Sequence, residues 1–231
     1  MTASRRSTLW ASALGKRSGQ ALWASALGKR SGQVRPNLWD CCHDPSSIPS
    51  TQQRCVQTGV SWDSFQAIQR GFADSPGVRL FYYQGELEVL STSPEHEIVK
   101  GNLGYLLEDY LLNQGIEFVS TGSFSQEKEA IASVQADESY CFGEKKWIPD
   151  LALEVVFMSG DPNKLRRYPA LGVPEVWFWE ESQIRLYQLD GASYQPAATS
   201  QFIPGIDLRK LAQCVAIESR LQAVRAFRAE A

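Results

Sequence analysis

The sequence predicts an α/β domain, and three observations carry that expectation. Residues 94–114 hold a long helical pattern, residues 78–91 read as a two-stranded hairpin, and residues 148–157 form an apolar run interrupted by two carboxylates, Asp150 and Glu154. The core of that run, Leu151-Ala-Leu-Glu-Val-Val-Phe157, is apolar on both faces except at Glu154. That is the pattern of a central strand covered on both sides. A helical stretch at 162–171 and an aromatic strand at 175–179 follow it, so strand and helix alternate.

The chain has 231 residues, 43% of them apolar and 11% aromatic, enough to bury a substantial core. The net charge of -3 conceals an asymmetry. Residues 1–40 carry seven bases and one acid, whereas residues 41–231 carry 16 bases and 25 acids. An acidic body argues against tight non-specific DNA binding, which depends on many Lys and Arg at phosphates. It leaves room for an enzyme that brings Mg²⁺ to the phosphate. The five cysteines have no metal-type spacing; Cys41, Cys42 and His43 are adjacent, but no second ligand pair answers them. Reduced thiols in a cytoplasmic protein are the expectation. No apolar run approaches the roughly 18 residues that span a bilayer, so no membrane association is expected.

Taken in order, residues 8–20 (TLWASALGKRSGQ) recur almost unchanged at 21–33 (ALWASALGKRSGQ). Each copy is too short for a stable isolated helix, and two copies do not make a solenoid. They read as recent repeat-derived sequence translated from an upstream start. With the Pro- and Ser-bearing stretch 34–58, they define a disordered basic tail and linker, residues 1–57. A domain over 58–217 and a C-terminal helical extension over 218–231 complete the division.

Ser61 is a plausible N-cap for a short helix using Phe65, Ile68 and Phe72. The hairpin 78–83 and 86–91 turns at Gln84-Gly85. Ser93-Pro94-Glu95 opens the strongest helix, with Pro at its first position and Glu95 and Glu97 where the helix dipole favours acids. Ile98, Leu103, Leu106, Leu107, Tyr110 and Leu111 form its apolar face, and Gly115 ends it. Strands follow at 116–121, 123–128 and 138–142, with a polar loop running to Gln135. Residues 184–189 form a meander with 175–179, and 206–227 read as largely helical.

The candidate site rests on burial cost. A carboxylate in a buried strand is expensive unless it is paired or bound to metal, which singles out Glu154. Asp150 shares its strand face but lies roughly 13 Å away at 3.3 Å per residue, too far to share an ion. Asp137 begins the preceding strand, and a hairpin pairing brings it beside Glu154. Two carboxylates with waters and a substrate phosphate make an oxygen-rich site for Mg²⁺ or Mn²⁺. Lys164, ten residues after Glu154 on the first turn of the next helix, can fold back to orient a water or neutralise charge. Arg166 and Arg167 follow it. His96, with Glu95 and Glu97, faces the site if its helix packs across the strand ends. Trp177 and Trp179 read as core rather than as base-stacking surfaces.

Residues from about 58 to 215 resemble the Uma-type endonucleases, a restriction-endonuclease-like family of the PD-(D/E)XK superfamily. The resemblance lies in SPEHE at 93–97, ADESYCFGE at 136–144, IPDLALEVV at 148–156 and KLRRYPALGVPEVWFWE at 164–180. It implies a restriction-endonuclease-like core, a mixed central β-sheet flanked by α-helices, and Mg²⁺-dependent phosphodiester hydrolysis. The acid of the PD pair falls on Asp137 and the (D/E) acid on Glu154. The superfamily's usual lysine position is Val156 here, and the lysine has moved to the following helix as Lys164. Ala136 replaces the proline of the pair, and Pro162 stands in a loop where relatives carry a Gly-Gly-type turn.

The leading expectation is a Mg²⁺-dependent DNA endonuclease, acting as a homodimer as many of that superfamily do. An alternative is a catalytically inactive nucleic-acid-binding or assembly protein that keeps the fold. A third is a metal hydrolase acting on a small phosphoester; the absence of a Gly-rich phosphate loop argues against an NTPase.

Overall fold

The computed structural model describes residues 53–123, 125–157 and 164–229. The N-terminal repeats, Cys41, Cys42, His43 and the loop bearing Pro162 lie outside the described residues.

The fold is mixed α/β, with helices packed on sheet, as the sequence predicts. Its strands divide between two sheets. In the first, β1 (Gln53–Thr58), β2 (Val78–Tyr83), β3 (Glu86–Ser91), β5 (Ser125–Lys128) and β6 (Ala132–Gln135) pair antiparallel in the order β1-β3-β2-β6-β5. The second holds β4 (Phe118–Ser120), β7 (Glu138–Phe142), β8 (Leu151–Val156), β9 (Glu175–Glu180), β10 (Gln183–Asp190) and β11 (Ser193–Ala197), in the order β11-β10-β9-β8-β7-β4. The β8–β9 pair is parallel, which makes this sheet mixed, and the segment crossing between those strands carries Lys164.

Local chemistry explains the elements that the sequence outlines well. Helix α1 (Trp62–Gly71) starts where the Ser61 hydroxyl accepts the Ser64 N–H. The β2–β3 turn places Gln84 and Gly85 both at positive φ, 47° and 87°, the twist that a two-residue hairpin loop needs. Helix α2 (Pro94–Gln114) has the Ser93 hydroxyl accepting the His96 N–H and ends on Gly115 at φ 66°. Its buried side includes Val99, Leu103, Leu106, Leu107 and Leu111, whereas Ile98 is exposed.

Strand β8 sets the two layers. Leu151, Leu153 and Val155 pack with Leu106, Leu107, Trp177 and Trp179, as well as with Leu211 and Val215 of helix α3 (Leu208–Val215). Ala152, from the opposite face, packs with Phe81, Leu90, Val134 and Tyr168. Because strand side chains alternate, Glu154 shares the face of Ala152 and points between the two sheets. Arg79 and Phe81 of β2, and Glu88 and Leu90 of β3, occupy the same intersheet layer. The other faces of β2 and β3 pack Leu80, Tyr82 and Leu87 onto Phe65 and Ile68 of α1.

Four local expectations are revised. Strand β1 lies inside the stretch read as linker, because its Pro- and Ser-rich surroundings obscured a six-residue strand pairing with β3. Strand β6 lies inside the predicted polar loop; Ala132, Ser133 and Val134 are small and mixed in character, yet pairing on both sides buries them. The segment after Lys164 is a 3-10 helix, Leu165–Ala170, rather than an α-helix, with Pro169 inside it. The stretch 206–227 splits into α3 and α4 (Arg220–Arg228). There the Asn102 side chain donates to the Ile217 carbonyl at 2.6 Å, and Ser219 caps the new helix start. Among the described residues, no helix is long and apolar enough to cross a membrane.

A buried carboxylate pair between the sheets

Asp137 sits one residue before β7. Its N–H donates to the Leu153 carbonyl at 3.0 Å, and its Oδ2 accepts the Val155 N–H at 2.6 Å. The carboxylate therefore takes the place of a backbone partner for β8, which fixes it against that strand. The β7–β8 register pairs Glu138 with Leu153, so continuing it by one residue sets Asp137 across from Glu154. Both acids are 1% exposed.

Each acid has its own set of donors. Asp137 Oδ1 accepts from Arg79 Nη1, and His96 Nε2 lies 3.3 Å from it. Glu154 Oε1 accepts from the Tyr168 hydroxyl at 2.5 Å, and Oε2 lies 3.5 Å from Lys164 Nζ. Lys164 is itself buried, 5.7 Å from the centre of the Phe81 ring, and immediately precedes the 3-10 helix. His96 Nδ1 lies 3.3 Å from Glu97 Oε1, and Arg79 Nη2 lies 3.7 Å from the same oxygen.

These surroundings push the two acids apart. Burial raises the Glu154 pKa; Lys164 and the Tyr168 hydroxyl oppose that, Asp137 adds to it, and the net shift is upward. Burial alone would raise Asp137 too, but the His96 hydrogen bond and the Arg79 charge outweigh it and hold the group well below the usual carboxylate range. His96 is raised: desolvation disfavours its cation, yet its bonds to Asp137 and Glu97 prevail. One acid is thereby kept firmly ionised while its neighbour holds a proton more readily, the division of roles typical of acid–base sites.

The structure thus gathers Asp137, Glu154, Lys164, His96 and Glu97 in one place. Glu95, on the same helix turn, is exposed. Asp150 stands apart, bound to Lys146 Nζ at 2.6 Å and accepting the Phe142 N–H at 2.7 Å. Arg166 pairs with Glu86 at 2.7 Å, while Arg167 is buried and pairs with Glu88. Trp177 and Trp179 are core residues, 1% and 5% exposed.

Sequence reasoning missed Arg79 and Tyr168. Arg79 is 7% exposed and lies between Val78 and Leu80, where a charged residue reads as the solvent face of a hairpin. The signal available was that a second layer must cover that face. Tyr168 lies four residues after Lys164, and its hydroxyl is the kind of donor a buried Glu154 requires.

Two facing carboxylates suit a hard divalent cation by donor type. Among the described residues, no group of three or more His, Cys, Asp or Glu is gathered to hold a metal by protein ligands alone. A cleft of about 600 Å³, lined by Phe72, Gly77, Arg79, Glu97, Lys100 and Ser123 among others, reaches the pair through Arg79; Asp137 and Glu154 themselves do not line it.

Residues 62–214 match the model of the Uma2 family, described as "Putative restriction endonuclease". No curated protein matches the chain.

Proposed function

This chain belongs to the Uma2 family, a restriction-endonuclease family of the PD-(D/E)XK superfamily, and on that premise we propose that it is a Mg²⁺-dependent DNA endonuclease. Asp137 and Glu154 would hold the ion, with Lys164 as their basic partner. The observation that carries this reading is the pair of buried carboxylates from adjacent strands, with a buried lysine 3.5 Å from one of them.

When bound, Mg²⁺ supplies Lewis-acid activation of the phosphate and lowers the pKa of a coordinated water. The protein's part is positioning and proton handling. Val155 N–H, Arg79 and His96 hold Asp137 ionised and fixed in place. Glu154, whose proton affinity is raised by burial, suits both ligation and acceptance of a proton from the attacking water. The Tyr168 hydroxyl fixes its orientation. Lys164, on the side of Glu154, donates to the nucleophile or to the phosphate oxygen that gains charge. The covered intersheet layer keeps competing water away from these charges.

Purified protein is expected to nick or linearise plasmid DNA with Mg²⁺ and to stop with a chelator. Lys164→Gln, which keeps a polar end but loses the charge, is expected to slow cleavage about a hundredfold. Because it removes the counter-charge of buried Glu154, some stability is lost as well, so folding is checked beside cleavage by far-UV circular dichroism. Unchanged cleavage by Lys164→Gln would remove Lys164 from the mechanism.

One observation favours the non-catalytic reading. Every oxygen of Asp137 and Glu154 already has a protein donor or cation beside it. A site closed on itself in this way predicts no Mn²⁺ binding at millimolar metal, whereas the nuclease reading predicts saturable binding.

A further inference from the structure

Arg79 stands between the Asp137 carboxylate and the cleft. Its Nη1 donates to Asp137 Oδ1, its Nη2 lies 3.7 Å from Glu97 Oε1, and the residue lines the cleft wall. We propose that Arg79 is a two-position residue. It balances Asp137 while that acid carries no metal ion, and in the loaded protein it turns from Asp137 to hold a phosphate of the nucleic-acid strand seated in the cleft. The proposal rests on the reading of Asp137 as a metal ligand and adds the location and the grip of the substrate strand.

The argument begins with charge. A guanidinium bonded to Asp137 and a divalent ion on the same carboxylate repel each other across a buried layer where water screens little. Both cannot keep full contact with Asp137, so the bound ion favours whichever Arg79 position lies farther away. Such a position exists. Glu97 is a second carboxylate already within reach, its side chain is 47% exposed, and it lines the cleft. A shift toward Glu97 keeps the arginine paired while freeing the edge that Asp137 had occupied.

The cleft suits a phosphate strand. Lys100 lies on the same wall, its Nζ donating to Ser123 Oγ at 2.9 Å and sitting 3.9 Å from Glu97. Thr92, Ser125 and Gln135 add neutral donors. Arg79 and Lys100 are the basic residues of the cleft lining, so these two side chains beside a hydroxyl-rich wall mark where a polyanion gains most. Arginine, with its planar fork of donors, grips phosphate in two contacts where lysine offers one point charge.

The test compares wild type, Arg79→Met and Arg79→Lys as full chains, by Mn²⁺ calorimetry without DNA and by binding of a fluorescent DNA duplex in Ca²⁺ at about 50 mM salt. Arg79→Met is expected to bind Mn²⁺ at least about tenfold more tightly, since a competing cation is gone. A purely structural role would weaken metal binding instead. Arg79→Lys, which keeps the charge and guards against misfolding of the Met variant, is expected to hold Mn²⁺ like wild type. It should bind the duplex about fivefold or more weakly through loss of the two-point contact.

Equal or weaker Mn²⁺ binding by a folded Arg79→Met, or duplex affinity unchanged in Arg79→Lys, would overturn the proposal. If wild type binds Mn²⁺ and Glu154→Gln loses it, those results sink the Arg79 inference alone. If no protein binds Mn²⁺, the metal reading of Asp137 fails and the inference fails with it.

Discussion

Glu154→Gln is expected to abolish DNA cleavage, by at least about a thousandfold, while the protein stays folded. The glutamine carbonyl still accepts from Tyr168, so the side chain keeps its place, but it no longer ligates as an anion or accepts a proton. Burial already makes the charged form of this acid costly, which is why its pKa is raised. Removing that charge takes the chemistry away; buried Lys164 loses its counter-charge too, so a loss of stability short of unfolding accompanies it. The measurement is plasmid cleavage beside far-UV circular dichroism. Full activity in a folded Glu154→Gln protein would refute the assignment of the site.

The opposite balance holds at Glu88. This residue is 0% exposed, in the middle of β3, and its carboxylate meets Arg167 Nη2 and, at 2.9 Å, Arg54 Nε. Arg167 is also buried, 5.3 Å from the Phe81 ring centre, and its Nε and Nη1 have no hydrogen-bond partner. Glu88→Gln leaves that guanidinium only Glu86, 3.7 Å away and already paired with Arg166, as a counter-charge. The expected loss is about 3–5 kcal/mol of stability, read from urea unfolding. A change below about 1 kcal/mol would show that Arg167 finds another partner.

Acid provides an independent check on the same pair. Burial would raise Glu88, but Arg167 and Arg54 outweigh it, so its pKa lies below the ordinary 4.5. A carboxyl lowered in the folded state adds stability above its unfolded pKa and loses it as pH falls through the folded value. The gap in melting temperature between wild type and Glu88→Gln should therefore be full at neutral pH and narrow progressively below about pH 4.5. A constant gap would assign the effect to packing rather than charge.

Glu154 and Glu88 also show what the sequence did and did not make legible. Both are buried carboxylates in strands. Glu154 was readable because its strand is apolar on both faces, so any charge there stands out. Glu88 was not, because Glu86, Glu88 and Leu90 alternate with Leu87 and Val89 as on a half-exposed hairpin. Only the second sheet, closing over that face, turns Glu88 and Arg79 inward. The same long-range packing buries Ala132–Val134, whose composition resembles loop. Elements with local signals were readable almost to the residue: the Ser61 and Ser93 caps, the Gln84-Gly85 turn and the Gly115 stop. The Asp137–Glu154 apposition was readable too, since it depends on two strands joined by a short connection. Lys164 was readable in position but not in setting, for nothing in its sequence announces a 3-10 turn rather than an α-helix.

The central claim is that Asp137 and Glu154 together bind a divalent cation. Crystals soaked in Mn²⁺ test it most directly, through the anomalous difference map. The account predicts a single strong peak between the Asp137 and Glu154 carboxylates, with Arg79 withdrawn from Asp137. A map with no peak there, and Arg79 still bonded to Asp137 at millimolar Mn²⁺, would contradict it.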